Sequence, residues 1–145
     1  MMVESLANQI INMLERAAEL YHRLILVTAP AGEGKTLALK SVKEITGAPL
    51  INVNLELSRI LLDLTEHQRS LQVPQLLNKI VAQRDSEIVL LDNIEILFDI
   101  SLKLDPLRLL QGLARNNTLI AAWNGAIIGN YITYAMPEHH EYRKY

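Results

Sequence analysis

A chain of 145 residues with a formal net charge of −2 and a pI near 6.1 is most simply one domain. That charge balance excludes a protein that grips nucleic acid alone by neutralising phosphates. The chain has no cysteine, which rules out disulfides, thiolate–zinc sites and cysteine nucleophiles. Glu4, Glu15 and Arg16 interrupt the apolar N-terminus and no apolar run reaches the length of a bilayer span, so a cytoplasmic protein with no membrane segment is expected.

Residues 3–21 carry apolar side chains at three–four spacing, among them Leu6, Ile10, Leu14 and Ala17. This predicts an amphipathic helix within residues 1–22, its stripe packed on the body of the domain or offered to a partner. Residues 24–28 form a short apolar run that ends at Ala29-Pro30, hence a buried strand. A helix over residues 36–45 stops at Gly47, with Pro49 beyond it. Residues 50–53 are a second strand, and Asn54 is the expected N-cap of a helix burying Leu57, Ile60, Leu61 and Leu64. "TEHQRSLQ" reads as a polar connector, with Pro74 opening a further helix that turns Leu76, Leu77, Ile80 and Val81 inward.

Residues 87–91 make a third buried strand, Asp105-Pro106 starts a helix running to about residue 115, and residues 118–123 are a fourth strand. Gly129-Asn130 is a turn before a weaker strand at Tyr131, so residues 124–145 are expected to be irregular, with a hairpin. Strands alternating with helices predict an α/β fold: a mostly parallel sheet with helices on both faces, in three layers.

Between the first strand and its helix lies "APAGEGKTL", residues 29–37. Gly32 and Gly34 allow successive N–H groups to turn around an anion, and the helix start aims its dipole at the same point. Lys35 adds a flexible cation, and Thr36 a hydroxyl that can ligate Mg²⁺. Ala29-x4-Gly34-Lys35-Thr36 is thus a Walker A motif with alanine in place of the first glycine. Ala29, Pro30, Ala31, Gly32, Glu33, Gly34, Lys35, Thr36 and Leu37 are the candidate cradle for ATP. The motif is strong because strand and helix flank it. A plain glycine-containing turn is the bland alternative.

"EIVLLDNIEILFD" places Asp92 after four apolar residues at a strand's carboxyl end, a Walker B pattern suited to hold Mg²⁺ through water. The next residue is Asn93, whose amide can position water but cannot act as a carboxylate base. Glu95 could serve if the chain turns helically after Asp92, or it could be a surface glutamate. Asn124, after the fourth strand, fits a sensor of the γ-phosphate or a simple turn residue. Arg115 fits a helix C-terminus or an arginine finger for a neighbouring subunit; Arg59 and Arg108 are weaker candidates. His139 and His140 are adjacent and lack a third ligand, which argues against a metal site. Trp123, Tyr131 and Tyr134 fit packing better than base stacking.

The strings "LINVNLELSRILLDL", "LLDNIEILFD", "LDPLRLLQGLARNNTLIAAWNG" and "ITYAMPEHHEYRKY" resemble the small P-loop BrxF family of type 3 bacteriophage exclusion (BREX) systems, over the chain from about Leu24 onward. The resemblance implies a bacterial or archaeal cytoplasmic protein encoded beside a large ATPase, a DNA methyltransferase, a helicase and a PglZ-like protein. It implies that Asn93 after Asp92 is a family trait. The expected architecture is a P-loop NTPase with an AAA+/ASCE-like core over residues 24–123 and no C-terminal helical lid. A neighbour, a second copy or a larger protein, would then close the site. The expected function is ATP binding with slow or partner-activated hydrolysis in an antiphage assembly. Any DNA contact would be made within that complex. A nucleotide switch or scaffold without turnover is the alternative. A P-loop kinase lacks its lid segment here, and a GTPase its guanine-reading string.

Overall fold

The computed structural model describes residues 6–17, 23–28, 34–123, 125–128, 131–134 and 143–144. Four parallel strands form the central sheet: β1 (Leu24–Val27), β2 (Leu50–Asn52), β3 (Ile88–Asp92) and β4 (Thr118–Ala122), in spatial order β1-β4-β3-β2. Five helices accompany them: α1 (Leu6–Ala17), α2 (Lys35–Thr46), α3 (Val53–Leu61), α4 (Glu66–Ala82) and α5 (Pro106–Leu113).

The period-2 alternation of the strands sends their side chains into two separate cores. Ile25, Val27, Leu90, Ile120 and Ala122 meet α1 and α2 through Ile10, Ala38, Leu39 and Val42. On the other face Ile51, Val89, Leu91, Leu119 and Ala121 meet Leu57, Leu77, Val81 and Leu110 of α3, α4 and α5. Connections between parallel strands are right-handed. The chain steps outward from β1 to β2 through α2, then back through β3 to β4, and this reversal assigns the helices to opposite faces. The expected three-layer α/β architecture is therefore present.

Local chemistry sets the boundaries. Gly47 ends α2 in a left-handed conformation, φ 75°, and its N–H donates to the Lys43 carbonyl at 2.8 Å. Asp105 caps α5 by accepting from the Arg108 N–H, with Pro106 at the first helical position.

Two expectations are corrected. The cap of α3 is Asn52, not Asn54; its side chain accepts the Leu55 N–H at 3.0 Å. Starting the helix earlier puts Val53, Leu57 and Leu61 on the buried stripe and turns Ile60 outward, 37% exposed. The segment before Pro74 is helix, not connector. Thr65 and Gln68 form a reciprocal capping box that starts α4 eight residues before the proline. Pro74 removes one helical donor, a cost of about 3 kcal/mol in a helix interior. Burial of Val73, Leu77, Ile80 and Val81 on the same helix offsets it.

Three further strands, β5 (Gly125–Ile128), β6 (Tyr131–Tyr134) and β7 (Arg143–Lys144), form a second, antiparallel sheet in the order β5-β6-β7. Ile128 faces Tyr131, so the strand expected at Tyr131 forms a hairpin with β5, a strand the sequence reading lacks, and the turn residues lie outside the described residues.

Among the described residues no helix is long and apolar enough to cross a membrane.

Candidate functional site

All four parallel strands end on one side, and there the chemistry-bearing side chains gather. β3 lies between β4 and β2, so Asp92 closes an interior strand and is only 7% exposed. Its two carboxylate oxygens are both engaged. Oδ2 accepts the Thr36 hydroxyl at 2.7 Å, and Oδ1 accepts the Asn93 N–H at 2.9 Å. Thr36 belongs to the first turn of α2, the helix that follows β1, whereas Asp92 belongs to a strand two places away. The contact therefore reaches across the end of β4, roughly 10 Å of sheet at the usual strand spacing.

The start of α2 is built differently from the starts of α3, α4 and α5. Each of those has a side-chain cap, from Asn52, Thr65 and Asp105. At α2 the capping position is Gly34, φ 70°, with no side-chain hydrogen bond and no acidic residue in the first turn. The N–H groups of a helix's first turn have no acceptor within the helix. Here, among the described residues, no capping side chain and no first-turn acid meets them or the positive end of the helix dipole, and Lys35 adds a further positive charge. An anion satisfies all of these at once.

Thr36 and Asp92 offer a hydroxyl and a carboxylate oxygen, the hard donors that Mg²⁺ prefers. Among the described residues there is no group of three or more His, Cys, Asp or Glu side chains that could hold a metal. A Mg²⁺ bound here would take one or two protein oxygens and complete its shell from phosphate and water, which is the habit of that ion.

Beyond Asp92 the chain makes a sharp turn. Asn93 has φ 52°, in the left-handed region, and residues Glu95–Phe98 form a single 3₁₀ segment. Ile94, Leu97 and Phe98 are buried, and Phe98 meets Trp123 edge-to-face with ring centroids 5.0 Å apart. Glu95 is left half-buried at the rim. Its Oε2 accepts from Asn54 Nδ2 at 2.9 Å, while Asn54 Oδ1 accepts the Ile96 N–H at 2.8 Å. The Asn54 N–H also donates to the Asn93 carbonyl at 2.9 Å. Sequence reasoning took Asn54 for a helix cap. Its real place depends on the β2–β3 register that sets Asn52 beside Asp92, which one strand alone does not reveal.

Gly34, Lys35, Thr36, Asp92, Asn93 and Glu95 thus share the carboxyl end of the sheet. Leu37 lies on the outer side of α2, 70% exposed. Ala29, Pro30, Ala31, Gly32 and Glu33, the rest of the expected cradle, and Asn124 lie outside the described residues, as do His139 and His140.

Arg115 does not join the group. It precedes β4, and its carbonyl accepts from Arg23 Nη2 at 3.3 Å just before β1, so it sits at the amino end of the sheet. A strand of five residues separates it from the carboxyl end of the sheet. Within its own chain Arg115 therefore stands away from Thr36 and Asp92. Arg59 and Arg108 are exposed on α3 and α5. Trp123 is fully buried against Phe98, the packing role expected of it.

Comparison of the chain with protein-family models, with curated proteins and with solved structures finds no match.

Proposed function

We propose that this protein is a P-loop NTPase that binds ATP with Mg²⁺ and hydrolyses it. The observation that carries the reading is the 2.7 Å hydrogen bond from Thr36 to Asp92. It joins the last residue of the Walker A string to the acid of the Walker B string, far apart in sequence. The uncapped start of α2, with Gly34 left-handed and Lys35 beside it, supports a phosphate chain at the same point. The strand order supports the ASCE-type core, since β4 separates the strand before the Walker A string from the strand that carries Asp92.

In this reading the first-turn N–H groups of α2 and the Lys35 ammonium orient the β- and γ-phosphates. Thr36 and Asp92 hold the metal, Asp92 through water. Bound Mg²⁺ supplies neutralisation of charge on the phosphate oxygens as the terminal bond breaks. The resemblance to the BrxF family supports a role as a nucleotide-gated component of an antiphage assembly. Its companions would be a large ATPase, a methyltransferase and a PglZ-like protein, with a second copy or a larger partner closing the site.

One observation favours a second reading, a switch that binds ATP without turnover: the residue after Asp92 is an amide, Asn93.

Native mass spectrometry in millimolar ATP and Mg²⁺ tests the proposal. One nucleotide and one metal should remain on each chain of wild type, with larger assemblies gaining in abundance, and Lys35→Ala should carry neither. Spectra of wild type that show only bare chains under these conditions would overturn it.

A further inference from the structure

Asn54 is a polar side chain at the carboxyl end of the sheet that neither Walker string accounts for. Building on the hydrolytic reading above, we infer that Asn54 is a positioning residue for Glu95. Glu95, and not the residue directly after Asp92, is then the carboxylate that orients the attacking water.

The backbone explains why a glutamate does not follow Asp92 directly. Asn93 has φ 52°, and its own N–H and carbonyl are spent on Asp92 Oδ1 and on the Asn54 N–H. What this position demands is a left-handed conformation, which asparagine accepts more readily than glutamate. The turn delivers the next acid, Glu95, to the rim, and Ile94, Leu97 and Phe98 fix it there by sinking into the core.

Asn54 then sets the orientation of the carboxylate. The Ile96 N–H can only be met by the amide oxygen, so Asn54 Nδ2 is committed to donate to Glu95 Oε2. A carboxylate has about four acceptor positions, so Glu95 can accept from a water in addition to its protein partners. Glu95 takes a proton from that water as its oxygen bonds to the γ-phosphorus. The bond from γ-phosphorus to the β–γ bridging oxygen breaks, its electron pair leaves with ADP, and the proton passes on to the released phosphate.

The test is single-turnover ATP cleavage, measured together with ATP affinity, in Asn54→Ala, Glu95→Gln and the double variant. Glu95→Gln should slow cleavage by about 10²-fold or more, the usual range for a lost general base. Asn54→Ala should slow it by about tenfold or more, and both should keep affinity within about threefold, because they act on chemistry and not on ground-state binding. The double variant should be no slower than Glu95→Gln alone, the non-additivity of a residue that acts through another. Should Asn54→Ala fail to fold, Asn54→Asp takes its place. It keeps the acceptor for Ile96 and sets a second carboxylate where the donor faced Glu95, so cleavage should slow at least as much as in Asn54→Ala. Additive losses in the double variant would overturn the inference, as would cleavage by Glu95→Gln at the wild-type rate. Wild type that binds ATP but cleaves it no faster than Lys35→Ala would also overturn it, while leaving the nucleotide site intact. Absence of ATP binding by wild type would instead remove the site itself.

Discussion

Replacing Thr36 with valine keeps the shape of the side chain and deletes its hydroxyl, the sole donor to Asp92 Oδ2 among the hydrogen bonds described. A hydrogen bond to a charged group contributes about 1.5–3 kcal/mol, but Thr36 is exposed at the helix start, so water can replace part of it. A loss of about 1–2 kcal/mol is the reasonable expectation. With an unfolding entropy of about 2 cal/mol/K per residue, a 145-residue domain should lose roughly 3–7 °C in its thermal midpoint. In the proposed site the same change removes a metal ligand. The ratio of ATP affinities with and without Mg²⁺ should fall at least tenfold, the least that even an outer-sphere partner of a metal is commonly worth. Thermal denaturation and a titration in Mg²⁺ or chelator read the two effects separately. If the midpoint drops but Mg²⁺ still tightens ATP binding as in wild type, Thr36 is only a structural partner of Asp92 and the metal assignment is wrong.

Asp92→Asn should behave oppositely. The amide can keep the Asn93 bond and donate to Thr36 in reverse, so the midpoint should move little, whereas dependence on Mg²⁺ should vanish; a large loss of stability would contradict this. Gly47→Ala should cost about 1 kcal/mol, roughly 3 °C, because φ is 75° although nothing crowds a new Cβ, and ATP affinity should be untouched. Asn93→Gly should leave the thermal midpoint within a degree or two of wild type. Asn93→Val should lower it by about 3–7 °C, since a β-branched residue resists φ 52° by about 1–2 kcal/mol; equal midpoints would refute the role given to that turn.

The strands of the central sheet were legible because buried parallel strands are short apolar runs, as in "LILV" and "IVLLD", and turn residues end them. That Thr36 and Asp92 would meet at the carboxyl end of the sheet was legible too, since each lies inside a motif that places it there. What escaped depends on partners distant in sequence. Nothing local separates Asn52 from Asn54 as a helix cap, because the choice rests on where β2 stops against β3. The first half of α4 was hidden because a proline inside a polar stretch usually marks a boundary, and only the Thr65–Gln68 box argues otherwise. The antiparallel sheet at the C-terminal end showed as a single weak strand, since "GAII" carries no alternation and β7 is two residues long. The place of Arg115 at the far end of the sheet follows from strand direction, which composition does not encode.

Isothermal titration calorimetry of ATP into wild type and Lys35→Ala, each with Mg²⁺ and with chelator, bears most directly on the phosphate site at the start of α2. A saturable heat at one nucleotide per chain, strengthened by Mg²⁺ and absent from Lys35→Ala, is the predicted result. No heat up to millimolar nucleotide, or identical isotherms for the two proteins, would contradict it.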